Sequence, residues 1–485
     1  MMSTSGVDLS VVSAASDSGH RVALVGEGRS YTFGALSETV RRVISWLERR
    51  GISSARDQRV VVVAWPDVET LIVLYALIER GIAFVPSHPR LTPRELKQQV
   101  LDCDPALIIE DAKAQFGEML RQPPAPAGPK PAGKQCLALV FTAGTTGRSK
   151  GAILSRNAFV ASARASAGNL GWRKDDRWLL CMPTAHVGGL SIVTRCLLAR
   201  RTVVLATSAD RSGRFDAAAV RDDIERERVT LLSLVPTMLQ RLLHSSDTLY
   251  TPSRLRAILL GGGPASAKLI AETAARRVPV LTTYGLTETC SQVTVQRYGT
   301  RPSEEIGSGE PLRGVDVRVV DEQIQVRGPT LFHGYFPESP ESPFLRGGWF
   351  ATGDLGRLDD RGRLHVFGRR SDLIVTGGEN VYPAEVERYL ESIPGVRAAA
   401  VFGVPDEVWG EIACAAIVRE SAPALTVDDL AARIAADVSP HRRPRRIAFL
   451  SELPTTPLGK LDRRRLPALA EPHLVAIHGR ANLSA

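Results

Sequence analysis

Residues 139–150 read Leu139-Val140-Phe141-Thr142-Ala143-Gly144-Thr145-Thr146-Gly147-Arg148-Ser149-Lys150. A β-favouring run enters a loop of small and hydroxyl residues that closes on a lysine. The glycines Gly144 and Gly147 let the backbone fold tightly and bring its N–H groups close to an anion. Thr142, Thr145 and Thr146 add hydroxyl donors, and Lys150 adds a mobile positive charge. The segment reads as a phosphate-gripping loop at the end of a strand. It is not a Walker A loop, because the G-x-x-x-x-G-K-[ST] spacing is absent. Gly-Thr-Thr-Gly alone would serve equally as an ordinary turn. The strand before it and the lysine after it set this segment apart.

On both sides of the loop, apolar strand-like runs alternate with helical patterns. Arg21–Val25 and Arg59–Ala64 read as strands, and Leu36–Arg50 and Val68–Arg80 as helices. Beyond the loop, strands are expected at Trp178–Met182, Thr202–Ala206, Thr230–Val235, Ala257–Leu260 and Val278–Thr282. This alternation implies an α/β fold with largely parallel sheets. After residue 300 the pattern changes to short alternating strands, including a hairpin around Asp359-Asp360-Arg361-Gly362. A polar break at Gly368–Asp372 precedes a compact α/β module with helices at Pro383–Glu391 and Val427–Ala436. A chain of 485 residues favours more than one domain, and the break places the boundary between residues 370 and 371.

Composition narrows the function classes. Hydrophobic content of 44% with 23% charged residues is that of a soluble globular protein. The opening Met1–Ser18 is Ser-rich with no long apolar core, and no apolar run reaches the ~20 residues of a membrane span, so a cytoplasmic location is expected. The six cysteines lack C-x-x-C spacing and accompanying histidines, which argues against a disulfide framework or a zinc site. The net charge of +9 could favour nucleic acid, but most arginines are interspersed with acids. Two basic clusters, Arg442–Arg446 and Arg463–Arg465, suit either a solvated surface or a polyanionic small substrate.

Four further segments carry chemistry. Gly261-Gly262-Gly263-Pro264 follows a strand and offers bare backbone to a flat base. Tyr284-Gly285-Leu286-Thr287-Glu288-Thr289 follows the strand Leu281–Thr283 and combines an aromatic face, a hydroxyl and a carboxylate. Gly347–Asp354 ends in a carboxylate after a tight turn. Pro454–Lys460 presents one lysine on a Gly/Pro loop. Each alone is commonly a turn or a solvated surface group.

In this order, the phosphate loop, Tyr-Gly-Leu-Thr-Glu, Thr-Gly-Asp, Gly-Arg-x-x-Asp and the terminal Gly-Lys resemble the adenylate-forming superfamily over roughly residues 20–470. That superfamily contains acyl- and aryl-CoA ligases, peptide-synthetase adenylation domains and luciferases. The resemblance implies a large N-terminal domain, residues 1–370, of stacked, mostly parallel sheets with helices and a small β-barrel-like part. It implies a small, mobile α+β C-terminal domain over 371–485. It also implies roles. Thr142, Gly144, Thr145, Thr146, Gly147 and Lys150 would grip the β- and γ-phosphates of ATP. Gly262, Gly263 and Tyr284 would hold adenine. Thr287 would touch the α-phosphate, and Glu288, with Thr145, would hold Mg²⁺. Asp354 and Arg369 would take the ribose hydroxyls. Lys460 would bridge the α-phosphate and the attacking carboxylate. Ser371 and Asp372 would form the hinge, and Gly377 and Gly378 would let the pantetheine arm of coenzyme A pass. Ser149 departs from the family's usual proline, and Ser371 from its usual Asp or Lys.

Within the superfamily, the chain is most similar to the o-succinylbenzoate–CoA ligases of menaquinone synthesis. Thr287–Gln292, Arg369–Ile374 with Gly377–Glu385, and His186–Ser191 with Arg195 carry that similarity. It implies an acid pocket formed by His186, Arg195, Ser291 and Gln292, with His186 also beside the reacting centre. Arg195 lies in the apolar run Leu190–Leu198, where a charge needs a partner. That partner is either a protein carboxylate or a second carboxylate on the substrate. The expected partners are an aromatic carboxylic acid, ATP and coenzyme A, with no nucleic acid and no membrane insertion; homodimerisation is left open. The alternatives are another aryl- or acyl-acid CoA ligase of secondary metabolism, or an adenylation module that loads a carrier protein.

Overall fold

The computed structural model describes residues 8–54, 58–142, 150–207, 215–245, 254–303, 305, 307–337, 342–420, 425–456 and 461–477. Two large sheets with mostly parallel interiors carry the first two thirds of the chain. In the nine-stranded sheet the interior strands Ala257–Leu260, Leu231–Leu234, Arg177–Leu180, Thr202–Leu205 and Val22–Gly26 run parallel. Antiparallel strands close both its edges. In the six-stranded sheet Arg59–Val63, Ala83–Ser87 and Leu107–Ile109 are parallel, and Cys136–Thr142 joins them. Strands buried on both faces need continuous apolar sequence, and Val60–Val63 and Leu231–Leu234 supply it.

The helix Val68–Arg80 shows how the layers are filled. Asp67 accepts the Thr70 N–H at 2.8 Å and caps its start, and Gly81 at φ +69° ends it. Leu71, Leu74 and Leu77 are almost fully buried in the shared core. The helix Val187–Ala199 is also buried over most of its length and opens directly after His186.

A third, antiparallel sheet is built from Asp316–Val320, Gln323–Arg327, Trp349–Leu358, Phe344–Leu345 and Leu364–Arg369. Its hairpin turns where Asp359 O accepts the Gly362 N–H at 2.8 Å, as the sequence predicts. Beyond residue 373 come the hairpin of Ile374–Thr376 and Glu379–Val381, and a four-stranded sheet with cores of its own. Among the described residues no helix is long and apolar enough to cross a membrane.

The basic clusters, which the sequence leaves open as a solvated surface or a site for a polyanion, are largely engaged within the protein. Arg463 bonds both oxygens of Glu387 at 2.7 and 2.9 Å, Arg442 bonds Glu385 at 3.0 Å, and Arg443 caps backbone carbonyls. Arg445 stacks over Trp409 at 4.1 Å.

Candidate active site

A cavity of about 1780 Å³ opens where the carboxyl ends of both large sheets converge on the C-terminal segment. Ligands in α/β folds bind at such strand ends. From the six-stranded sheet come Thr142, Lys150 and His88. The nine-stranded sheet contributes Gly261, Gly262, Thr283, Thr287 and Glu288. Arg369, Arg370 and Ser371 close another wall.

The phosphate loop is a hairpin connection. Cys136–Thr142 and Lys150–Ser155 pair antiparallel, with Thr142 opposite Lys150. Gly144, Thr145, Thr146 and Gly147 lie outside the described residues, as does Lys460. Thr456 and Leu461, on either side of the Lys460 loop, line the cavity.

Tyr284, Gly285 and Leu286 are not in a loop after a strand. The strand runs from Val280 to Leu286, because Ser291–Val295 pairs with it and sets Gly285 opposite Gln292 and Leu286 opposite Ser291. Thr287–Thr289 then form one 3-10 turn, which brings Thr287 and Glu288 to the cavity wall. Glu288 Oε1 accepts the Tyr335 hydroxyl at 2.8 Å, and its carbonyl accepts the Phe332 N–H at 2.8 Å. No described residue bonds the second carboxylate oxygen. Among the described residues no group of three or more His, Cys, Asp or Glu could hold a metal ion. A single carboxylate suits Mg²⁺, which commonly takes one or two carboxylates and completes its shell with substrate phosphates and water.

Tyr284, Gly263 and Asp354 stand behind the lining. The Tyr284 hydroxyl donates to Asp354 Oδ2 at 2.7 Å, and Arg369 Nε meets Asp354 Oδ1 at 3.1 Å. Burial and the Asp354 carboxylate both hold the Tyr284 hydroxyl in its neutral form. Burial works against the charge of Arg369, but Asp354 and Glu288 outweigh it and raise its pKa. Gly377 and Gly378 are also off the lining, at φ +58° and +85°. A Cβ on Gly377 would lie 2.7 Å from the Trp409 ring. Ser371 lines the cavity, and Asp372 pairs with Arg463 at 3.4 Å.

His186, Arg195, Ser291 and Gln292, the residues expected to receive the acid, all line the cavity. Arg195 is 2% exposed, and burial pulls its pKa down to about 10. Its guanidinium Nη2 donates to Ser291 Oγ at 3.3 Å, and Nε has no partner. Among the described residues no carboxylate pairs with it. The nearest groups that can bear negative charge are the thiols of Cys290 and Cys196, and burial drives both thiols toward the neutral form. Ser191, one helical turn before Arg195, sits 3.5 Å from the same Ser291 hydroxyl. Gln292 donates to Thr283 Oγ1 at 3.2 Å.

The pocket's shape rests on backbone held in an uncommon conformation. Cys290 and Ser291 have φ of +51° and +91°, a region that costs non-glycine residues energy and collects at functional sites. Ser162 Oγ holds the Cys290 carbonyl at 2.7 Å. Opposite, a Cβ on Gly285 would lie 1.8 Å from the Ser291 carbonyl oxygen. Gly285→Ala should therefore displace Ser291, cost on the order of 1–3 kcal/mol in unfolding free energy, and weaken acid binding more than ATP binding. Denaturant unfolding together with separate titrations of the two ligands would check this.

The sequence assigns no role to three lining residues, although Ser191 falls in the segment His186–Ser191. Tyr335 holds Glu288. Ser191 shares the Ser291 hydroxyl. His88 stacks on His186 with ring centroids 5.4 Å apart, and burial pushes its pKa down to about 4, so it is neutral at neutral pH. Tyr335 and His88 meet partners far along the chain, and spacing could not reveal that.

Comparison with known proteins adds three findings. The profile of the AMP-binding enzyme family matches residues 12–336, and that of its C-terminal domain matches residues 385–460. A 2-succinylbenzoate–CoA ligase of Bacillus mycoides is 34% identical over 472 residues, 93% of this chain and 96% of that protein. The structure of o-succinylbenzoate CoA synthetase from Bacillus subtilis with its acyl-adenylate intermediate superposes with a TM-score of 0.84 at 30% identity, covering 94% of this chain and 97% of that one. The same enzyme bound to ATP and magnesium ion superposes with a TM-score of 0.83 at 30% identity, covering 94% and 98%.

Proposed function

Because the chain belongs to the AMP-binding enzyme family, we propose that it is an ATP- and Mg²⁺-dependent ligase that converts o-succinylbenzoate to its coenzyme A thioester. In the first half-reaction an acid oxygen attacks the α-phosphorus of ATP and pyrophosphate leaves. In the second, the coenzyme A thiol attacks the acyl carbon and AMP leaves. The product serves menaquinone synthesis, and we place the reaction in the cytoplasm, which supplies ATP and coenzyme A.

The observation that carries the choice of acid is Arg195. A buried cation without a carboxylate partner among the described residues is costly, and a second carboxylate on the substrate relieves that cost. o-Succinylbenzoate has two carboxylates, one to react and one to bind.

The remaining roles follow from charge. The first step brings a carboxylate against an anionic phosphorus, so cations must face the phosphates. Lys150 and Arg369 stand on the cavity wall, and Glu288 would hold Mg²⁺, which neutralises phosphate charge when bound. Thr287, on the cavity wall, would touch the α-phosphate, and Gly262, with Gly263 and Tyr284 behind the lining, would hold the adenine. Asp354, oriented by Tyr284 and Arg369, would take the ribose hydroxyls. We assign residues 1–370 to the adenylating domain and 371–485 to a mobile domain that pivots at Ser371 and Asp372. Gly377 and Gly378 belong to the face that serves the second half-reaction.

The test is thioester formation with ATP and Mg²⁺ across o-succinylbenzoate, benzoate, anthranilate and a medium-chain fatty acid. The expected result is a strong preference for o-succinylbenzoate. Preference for a monocarboxylic acid would keep the mechanism and overturn the role of Arg195. Adenylate without thioester would mark a carrier protein as the acceptor.

A further inference from the structure

Tyr335 touches both of the charges expected to handle the phosphates. Its hydroxyl donates to Glu288 Oε1 at 2.8 Å, and Lys150 Nζ lies over its ring, 5.6 Å from the centroid. The three residues come from distant parts of the chain and are locked together by backbone. Strand Tyr335–Phe336 pairs antiparallel with the Lys150 strand, Tyr335 opposite Ala152 and Phe336 opposite Gly151. Phe332, three residues before Tyr335, donates its N–H to the Glu288 carbonyl and packs edge-on against the Tyr335 ring at 4.8 Å. Glu288 and Lys150 are thus near neighbours on one cavity wall, yet no ion pair joins them among the described residues.

That absence needs a cause, because an unliganded cavity with a carboxylate beside an ammonium favours their collapse into a pair. The Tyr335 side chain supplies it. Its ring gives the ammonium a π face. Its hydroxyl gives the carboxylate a neutral donor. Binding Oε1 also fixes the carboxylate rotamer and leaves Oε2 for a ligand.

We propose that Tyr335 is a positioning residue for the phosphate and metal site: it holds the Glu288 carboxylate in a metal-ready rotamer and keeps Lys150 and Glu288 apart until ATP and the divalent cation arrive. The proposal rests on the reading of Glu288 as the Mg²⁺-holding carboxylate. Hydrogen-bond partners of a metal ligand commonly carry a ten- to hundredfold share of metal affinity.

The experiment measures Mn²⁺ binding by electron paramagnetic resonance, in the presence of a non-hydrolysable ATP analogue, in the full-length protein and three variants. Tyr335→Phe removes the hydroxyl and keeps the ring; the expected loss of Mn²⁺ affinity is about tenfold. Tyr335→Leu removes both, lets Lys150 reach Glu288, and is expected to lose close to 100-fold. In steady-state adenylation, Tyr335→Phe should raise the metal concentration for half-maximal rate, with a much smaller change in the rate at saturating metal. A purely structural role would lower the rate at saturation and the melting temperature together. Glu288→Gln separates the two layers of the argument. If it abolishes Mn²⁺ binding while Tyr335→Phe binds as the wild type does, the role of Tyr335 is overturned and that of Glu288 stands. If Glu288→Gln leaves binding intact, the metal reading falls and takes this proposal with it.

Discussion

Replacing Arg195 with methionine is expected to stabilise the unliganded protein and, at the same time, to cut activity toward o-succinylbenzoate about 100-fold. The two effects share one cause. The guanidinium is 2% exposed and bonds one serine hydroxyl, with no carboxylate beside it among the described residues. Truncating one partner of a buried, hydrogen-bonded charge pair costs about 2–5 kcal/mol of binding, and the lower part of that range corresponds to the stated loss. Methionine fills similar volume with apolar atoms, next to Trp178, whose ring centre lies 5.7 Å from the guanidinium carbon. Removing the uncompensated charge should return on the order of 1–3 kcal/mol of unfolding free energy.

The pH dependence gives that gain a signature. Burial lowers the pKa of Arg195 from its ordinary 12.5 to about 10 in the folded state. A base with a depressed folded pKa costs stability while it stays charged. The cost is complete below about pH 10 and is relieved as pH climbs from there toward the ordinary value. The advantage of Arg195→Met should therefore be full at neutral pH and shrink in strongly alkaline solution. Urea unfolding at pH 7.5 and at high pH, with and without o-succinylbenzoate, would show it. The dicarboxylate should stabilise the wild type and leave the variant unmoved, while benzoate should not discriminate between them. Equal loss of activity with both acids would remove Arg195 from acid recognition.

This residue also marks how far the sequence could be read. The apolar run around Arg195 is plain in the chain, and it poses the right question: what partners the charge? Spacing could not answer it, because the hydroxyl that bonds it, that of Ser291, lies 96 positions away. The same holds elsewhere. Helix Val68–Arg80 and strand Ala257–Leu260 fall where the sequence places them, since each is a local apolar pattern with a cap or turn at its ends. Tyr284–Leu286 read as following the strand Leu281–Thr283, and Gly285 disfavours a strand locally. Pairing with Ser291–Val295 overrides that preference. Arg463 read as part of a basic patch, and only the fold shows it bonded to Glu387 and Asp372. The chemistry of the site was legible through the order of its motifs. The contacts that tune it were not, and Tyr335 is the clearest case, 47 positions from the Glu288 carboxylate it holds.

Lys460→Ala is expected to separate the two half-reactions, lowering acyl-adenylate formation by roughly 10²- to 10³-fold while sparing thioester formation from preformed adenylate. The lysine lies outside the described residues, but its flanks speak for the arrangement. Thr456 and Leu461 line the cavity, whereas Gly377 and Gly378 do not. The described flanks of the lysine thus reach the cavity. Two contacts join the C-terminal segment to the rest of the protein: Tyr382 bonds Glu322, and Lys268 pairs with Glu420. Repulsion between the attacking carboxylate and the α-phosphate is the barrier that one ammonium at this wall would lower. The thiol's attack on the acyl-adenylate has no such need, since the acid is by then an activated ester and its charge is gone. Pyrophosphate release from ATP and acid reports the first step. AMP release from synthetic acyl-adenylate plus coenzyme A reports the second. A large deficit in the first with a deficit under threefold in the second would assign the lysine to adenylation; equal deficits in both would make it a residue of the shared fold instead.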